Sequence, residues 1–141
     1  MDANKRMLHG GGKGGAKAKV LFVDDERLVV EALRDSLRRY PFQIQSASSA
    51  DEGFEILSNE DIDVVVSDER MPGMTGSEFL ALVCERYPET VRIMLSGQQG
   101  PAAGERALRE AEVFRFVHKP SSAAELAAVI LEGLAERDRF G

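Results

Sequence analysis

The strongest constraint on the fold is a regular alternation of short apolar runs with helical patterns, which begins at Val20 and continues to the end of the chain. Five apolar runs are present: "VLFV", "FQIQSA", "DVVVSD", "TVRIMLS" and "FRFVH". A stretch with helical periodicity follows each run, as "RLVVEALRDSLRRY" follows the first. Because one helix separates each pair of consecutive strands, the strands must be parallel. The pattern therefore predicts a three-layer α/β sandwich around a five-stranded parallel sheet.

Several helix boundaries are marked by residues with known capping or helix-breaking properties. Ser49 and Thr75 each precede a helical pattern, and an acid follows three residues later, Glu52 and Glu78 respectively. This spacing predicts a capping box at the start of both helices. Pro41 is expected to end the first helix, because proline cannot continue an α-helix.

The charge is distributed unevenly between the start of the chain and its body. Residues 1–19 hold five basic side chains and one acidic side chain, whereas the whole chain has a net charge of −6. The acidic body argues against nucleic-acid binding by this domain. No apolar run approaches the ~20 residues of a membrane span, and no secretory signal is evident, so we expect a cytoplasmic protein with no membrane contact. The sequence divides into a flexible, basic, Gly/Lys-rich leader at 1–17 and one domain at 18–141.

Polar side chains stand at the carboxyl ends of four predicted strands. They are three acids after the first strand and one residue after each of the third, fourth and fifth: Asp24, Asp25 and Glu26, then Asp68, Ser96 and Lys119. In an open parallel sheet, ligands bind beyond the carboxyl ends of the strands, so we expect these side chains to lie at one edge.

This set of side chains indicates phosphoryl chemistry. Clustered carboxylates repel one another unless a cation joins them, and Mg²⁺ suits a site with few carboxylates and several retained waters. The Lys119 ammonium and the Ser96 hydroxyl can hold the oxygens of a phosphoryl group. Asp68 is then placed to act as the nucleophile. Taken alone, Asp24 and Asp25 fit a helix N-cap with an acidic first helical turn better than a metal site. Their combination with Asp68, Ser96 and Lys119 at matching strand ends favours the metal site.

Four segments of the chain, "VLFVDDE", "VVVSDERMPGMTG", "IMLSG" and "FVHKP", resemble the signature segments of the response-regulator receiver domain of two-component signal transduction. They occur in the order and spacing of that family, and the resemblance covers residues 18–139. It implies a flavodoxin-like fold with strand order 2-1-3-4-5. It also implies that a sensor histidine kinase or a phosphotransfer protein donates a phosphoryl group to the domain, with Mg²⁺ as cofactor.

The resemblance assigns the acceptor and the metal ligands by matching position. Asp68 corresponds to the phosphoacceptor. Asp25 corresponds to a direct Mg²⁺ ligand, and Asp24 to a residue that binds the ion through water. Asp68 and the backbone carbonyl of Arg70 complete the protein ligands that the resemblance implies.

The same resemblance assigns the residues that sense the phosphoryl group. Ser96 and Lys119 correspond to its hydrogen-bonding and ion-pairing partners, and Ser96 together with Phe116 to the switch pair. Arg70 and Gln98 occupy the positions that tune the lifetime of the phosphoryl group. The family often has Thr where this chain has Ser96, which predicts a looser switch.

The family also implies how the signal leaves the domain. Phosphorylation is expected to change the surface formed by the fourth predicted helix, near residues 104–112, the fifth strand and the fifth helix. That surface is expected to bind a downstream effector or output domain, or a second copy of the chain. "FRFVHKP" is similar to receivers that precede HD-type phosphodiesterases. The domain itself is expected to catalyse only its own phosphorylation and dephosphorylation.

Two other functions are compatible with the same fold. A phosphohydrolase of the haloacid-dehalogenase type also uses an aspartate nucleophile, but that family places it after the first strand in a DxD pattern, where this chain has "DDER". A receiver retained only as an interaction module would often lack one member of the phosphorylation site. Here Asp24, Asp25, Asp68, Ser96 and Lys119 are all present.

Overall fold

The chain folds around a five-stranded sheet in the computed structural model, which describes residues 17–96, 115–118 and 122–140. The strands are β1 (Ala18–Val23), β2 (Phe42–Ala47), β3 (Val64–Asp68), β4 (Val91–Ser96) and β5 (Arg115–His118). The described helices are α1 (Arg27–Ser36), α2 (Ala50–Asn59), α3 (Gly76–Arg86) and α4 (Ala123–Phe140). The fourth predicted helix and leader residues 1–16 lie outside the described residues, so α4 is the fifth helix expected from the sequence.

All neighbouring strands pair in parallel, in the order β2-β1-β3-β4-β5. This is the flavodoxin-like order, in which the chain reverses its direction of winding between β1 and β3. The predicted fold class and strand order are both confirmed. The reversal opens a crevice at the carboxyl ends of β1 and β3.

Different helices cover the two faces of the sheet. Since successive strand residues point to opposite sides, each strand contributes side chains to two separate core clusters. Phe22, Val66 and Ile93 belong to a core cluster that includes buried residues of α1 and α4. Val65 and Met94 belong to a second cluster that includes buried residues of α2 and α3. Strands covered on both sides explain the nearly continuous apolar runs in the sequence.

The first helix is shorter than the sequence pattern predicts. It ends at Ser36, and a turn in which the Tyr40 N–H donates to the Leu37 carbonyl oxygen at 3.0 Å leads to Pro41. Proline disfavours helical backbone at the residue before it, so the chain leaves the helix ahead of Tyr40. Leu37 is fully buried and still belongs to the core, which accounts for the longer apolar stripe.

One of the two predicted capping boxes is confirmed and the other is corrected. At α3, the Thr75 side chain accepts the Glu78 N–H, and the Glu78 carboxylate accepts the Thr75 N–H. At α2, Ser49 accepts the Glu52 N–H at 3.2 Å, as predicted. The Glu52 carboxylate instead accepts the N–H and hydroxyl of Ser48, so the reciprocal bond of a capping box is made one residue earlier.

An ion pair fastens the last helix to the amino-terminal edge of the sheet. Arg137 of α4 lies 3.0 Å from an Asp63 carboxylate oxygen, and the two side chains are only 10% and 15% exposed. The other Asp63 oxygen accepts the Lys19 N–H at 2.8 Å. Asp63 therefore links the starts of β1 and β3 to the end of α4.

Arg137→Met should destabilise the fold, because it removes the guanidinium donor and leaves the Asp63 carboxylate poorly compensated. The expected loss is about 2 kcal/mol in the free energy of unfolding, measured by urea denaturation. Arg38→Met is the matched control, since the Arg38–Asp35 pair is 3.7 Å long and highly exposed and should contribute almost nothing. Equal losses in the two variants would contradict the role given to Asp63.

Candidate functional site

The pairing register brings two acidic residues together at the carboxyl edge of the sheet. Val23 is the last residue of β1 and pairs with Ser67 of β3. Because the strands are parallel, the next residue of each, Asp24 and Asp68, emerges at the same level on neighbouring strands. The sequence prediction that these acids meet at one edge is thereby explained by backbone geometry.

Three carboxylates form a compact cluster at this edge. Asp24, Asp25 and Asp68 each offer a carboxylate oxygen, and these oxygens all lie within 4.8 Å of one another. Asp24 and Asp68 are only 5% and 7% exposed, whereas Asp25 faces solvent. An all-oxygen donor set with an open side suits a hard divalent cation such as Mg²⁺, which keeps part of its water shell.

Helix capping does not account for Asp24 and Asp25. The residue at the N-cap of α1 is Glu26, which makes no side-chain capping bond, and the first turn of α1 contains no acidic residue. Asp24 is held by its own contacts, since its N–H donates to the Ala47 carbonyl oxygen at 3.0 Å and its Oδ1 accepts the Glu26 N–H at 2.9 Å. These bonds fix the Asp24 carboxylate toward the edge of the sheet.

The loop that follows Asp68 is closed tightly by Gly76, the first residue of α3. The Gly76 N–H donates to the Glu69 carbonyl oxygen at 2.8 Å. A Cβ atom at position 76 would lie 2.2 Å from the Asp68 carbonyl oxygen and 2.9 Å from the Glu69 Cα. Only glycine allows this approach. Met71 and Met74 of the loop pack against the core cluster under α2 and α3.

Glu69 is a residue whose importance the sequence reasoning missed. Its Oε1 accepts the Ser77 N–H at 3.0 Å and the Ser77 hydroxyl at 2.9 Å. The partners are eight residues apart across a loop, a spacing that belongs to no local capping pattern. The sequence offered one signal for this contact: an acid, Glu69, directly follows Asp68, and a serine, Ser77, lies in the first turn of the next helix.

The remaining predicted site residues are described only in part. Ser96 is the last residue of β4 and pairs with His118, the last residue of β5. The backbone of Phe116 pairs with Met94 in the same ladder. The side chains of Ser96 and Phe116, and all of Gln98 and Lys119, lie outside the described residues. Arg70 lies in the β3–α3 loop and is exposed.

Comparison with known proteins identifies the family. The family profile described as "Response regulator receiver domain" matches residues 20–131. The chain belongs to this family. The receiver domain is a signalling domain. The family that the four sequence segments predicted is therefore confirmed.

Curated relatives are similar to this receiver domain over only part of their length. The chain is 41% identical over 104 residues to the hydrogenase transcriptional regulatory protein HoxA of Cupriavidus necator, covering 74% of this chain and 21% of HoxA. It is 33% identical over 109 residues to the response regulator protein FleR of Pseudomonas aeruginosa, covering 77% of this chain and 23% of FleR. The receiver domain thus spans about a quarter or less of each of these relatives.

Solved structures agree with the fold. The signal receiver domain of an HD domain-containing protein from Pseudomonas fluorescens Pf-5 is 27% identical, with a TM-score of 0.83, covering 87% of this chain and 98% of that one. A response regulator receiver domain protein from Clostridium thermocellum is also 27% identical, with a TM-score of 0.81, covering 88% and 99%. Among the helices described here, none is long and apolar enough to cross a membrane.

Proposed function

We propose that this receiver domain accepts a phosphoryl group on Asp68 from a phosphohistidine of a sensor kinase or phosphotransfer protein. The observation that carries the proposal is the carboxylate cluster at the carboxyl ends of β1 and β3, with Asp68 as the member that ends a buried central strand. A rigid strand end holds a nucleophile in a fixed direction, which favours an in-line displacement.

The chemical step transfers the phosphoryl group from the histidine nitrogen to an Asp68 carboxylate oxygen. An Asp68 carboxylate oxygen attacks phosphorus, the phosphorus–nitrogen bond of the phosphohistidine breaks, and the imidazole nitrogen keeps the electron pair. The product is an acyl phosphate on Asp68. Hydrolysis of this acyl phosphate returns the domain to its starting state, so the chain acts as a signalling acceptor.

The residues present fit a magnesium ion. Asp25 and Asp68 would bind it directly, Asp24 through water, and the Arg70 backbone carbonyl would complete the protein ligands. When bound, Mg²⁺ offsets the negative charge of the carboxylates and of the phosphoryl oxygens. Burial of Asp24 and Asp68 limits their solvation by water, so the cluster gains strongly from a cation.

The roles proposed for the other site residues are those that the family resemblance implies. The Ser96 hydroxyl would hydrogen-bond a phosphoryl oxygen, and the Lys119 ammonium would pair with another. Movement of Ser96 toward the phosphoryl group would allow the Phe116 ring to turn inward. Arg70 and Gln98 would flank the approach of the hydrolytic water and would set the lifetime of the acyl phosphate.

Signal output would use the face that contains the fourth predicted helix, β5 and α4. A downstream effector or output domain would recognise this face after phosphorylation, and a second copy of the chain is the alternative occupant. We propose that residues 1–17 form a flexible basic leader, that residues 18–141 form the receiver, and that the domain works in the cytoplasm.

Substitution of Asp25 tests the metal site. Wild-type protein should be stabilised by Mg²⁺, by roughly 3 kcal/mol at a hundred times the dissociation constant. Asp25→Asn should lose this stabilisation, and its phosphorylation by acetyl phosphate should slow at least about tenfold. Thermal unfolding with and without Mg²⁺ and intact mass after incubation measure the two effects. Asp51→Asn, which removes an exposed acid of α2, is the control and should behave as wild type.

The outcome separates the proposal from its rivals. Retention of the Mg²⁺ response in Asp25→Asn would contradict the assigned metal site. A wild-type protein that neither responds to Mg²⁺ nor gains the mass of a phosphoryl group would favour the interaction-module function. Continuous release of inorganic phosphate from a phosphomonoester would favour the phosphohydrolase.

A further inference from the structure

The backbone and the side chain of Glu69 are both hydrogen-bonded to neighbouring elements. Its N–H donates to the Leu95 carbonyl oxygen of β4 at 3.2 Å, and its carbonyl oxygen accepts the Gly76 N–H at 2.8 Å. Its carboxylate accepts the N–H and hydroxyl of Ser77 at 3.0 and 2.9 Å. Glu69 is therefore bonded to β4 on one side and to the first turn of α3 on the other.

Glu69 also stands at a decisive place in the chain. It lies between Asp68, the nucleophile, and Arg70, whose backbone carbonyl would bind the metal. Since a planar peptide leaves few backbone torsions between neighbouring residues, fixing Glu69 restricts the directions available to both groups. Its Oε1 is bonded to α3, and the carboxylate cluster is formed by Asp24, Asp25 and Asp68, so Glu69 serves that cluster as a support.

We propose that Glu69 is a positioning residue, whose bonds to Ser77 hold the Asp68–Arg70 segment in the geometry that binds the metal. This inference rests on the proposed function. Groups that orient metal ligands commonly change metal affinity by about tenfold or more when they are removed. The bonds from Glu69 to Ser77 can hold the Asp68–Arg70 segment because α3 already lies against it, with Gly76 next to the Asp68 carbonyl oxygen.

Two substitutions of Glu69 distinguish the effect of its hydrogen bonds to Ser77 from the effect of its negative charge. Glu69→Gln and Glu69→Ala both remove the negative charge, but only Glu69→Ala removes the oxygen that accepts from Ser77. The Mg²⁺ dissociation constant, measured by amide chemical-shift titration, should rise about tenfold in Glu69→Ala and stay within about twofold of wild type in Glu69→Gln. The rate of phosphorylation by acetyl phosphate at subsaturating Mg²⁺ should follow the same order.

Glu78→Ala is the matched structural control. It removes a carboxylate bond at the amino end of the same helix, but that bond is made to Thr75 and not to the Asp68–Arg70 segment. Urea denaturation without Mg²⁺ should show similar losses of stability in Glu78→Ala and Glu69→Ala. Only Glu69→Ala should bind Mg²⁺ more weakly. Ser77→Ala keeps the backbone donor and loses the hydroxyl, so an intermediate effect of about threefold is expected.

The possible results lead to different conclusions. Equal Mg²⁺ affinity in Glu69→Ala and wild type, or equally weak affinity in Glu69→Gln and Glu69→Ala, would overturn the positioning role alone. If Glu69→Ala does not fold, unchanged affinity in Ser77→Ala would overturn it. A wild-type protein that binds no Mg²⁺ and gains no phosphoryl group would overturn the proposed function, and this inference with it.

Discussion

Asp68→Asn should abolish formation of the phosphoryl adduct. The amide keeps the size of the side chain at the end of β3 but has no carboxylate oxygen to attack phosphorus. Loss of a nucleophile commonly costs several orders of magnitude, so we expect the rate of adduct formation to fall by at least about a thousandfold. Intact mass spectrometry after incubation with acetyl phosphate and Mg²⁺ measures the change.

The same experiment needs a control that removes an aspartate carboxylate outside the site. Asp51→Asn removes an exposed aspartate of α2 and should gain the phosphoryl group at the wild-type rate. Circular dichroism should show that Asp68→Asn retains the fold, because the substitution preserves volume and removes one of three clustered charges. An Asp68→Asn protein that still acquires one phosphoryl group at the wild-type rate would exclude Asp68 as the acceptor.

Gly76→Ala should be the most destabilising of the single substitutions considered. The new Cβ would lie 2.2 Å from the Asp68 carbonyl oxygen, and its neighbours are backbone atoms that cannot rotate away. The start of α3 must then move off β3, which breaks the 2.8 Å bond from the Gly76 N–H to Glu69. We expect a loss of roughly 3 kcal/mol in the free energy of unfolding and weaker Mg²⁺ binding.

Gly73→Ala in the same loop is the comparison. Gly73 has a φ of 85°, but a Cβ there would meet nothing within 4 Å. The expected cost is that of a left-handed backbone alone, about 1 kcal/mol, measured by urea denaturation beside Gly76→Ala. A smaller loss in Gly76→Ala than in Gly73→Ala would show that α3 does not rest on the Asp68 backbone.

Features with a short-range cause could be predicted from the sequence. Each strand of the sheet corresponds to an apolar run, and the capping box of Thr75 and Glu78 follows from residues three apart. The position of Asp24 and Asp68 at one edge of the sheet also follows, since both stand at the carboxyl ends of parallel strands. The order of the strands came from the family resemblance, because alternation alone does not decide which strands are neighbours.

Features that depend on distant contacts could not be predicted. The link between Asp63 and Arg137 joins residues 74 positions apart, and no sequence pattern relates them. The bonds from Ser77 to Glu69 cross a loop whose path is set by the close approach of Gly76. Hydroxyl and carboxylate groups can be satisfied in many ways, so their partners emerge only when the backbone is in place.

The most direct test of the central claim is chemical mapping of the adduct. Wild-type protein would be incubated with acetyl phosphate, with and without Mg²⁺, and then treated with borohydride, which reduces an aspartyl phosphate to homoserine. We expect homoserine at position 68 alone, and only in the sample that contained Mg²⁺. Homoserine or a phosphoryl group at another residue, or equal modification without the metal, would contradict the assignment of Asp68 as the metal-dependent phosphoacceptor.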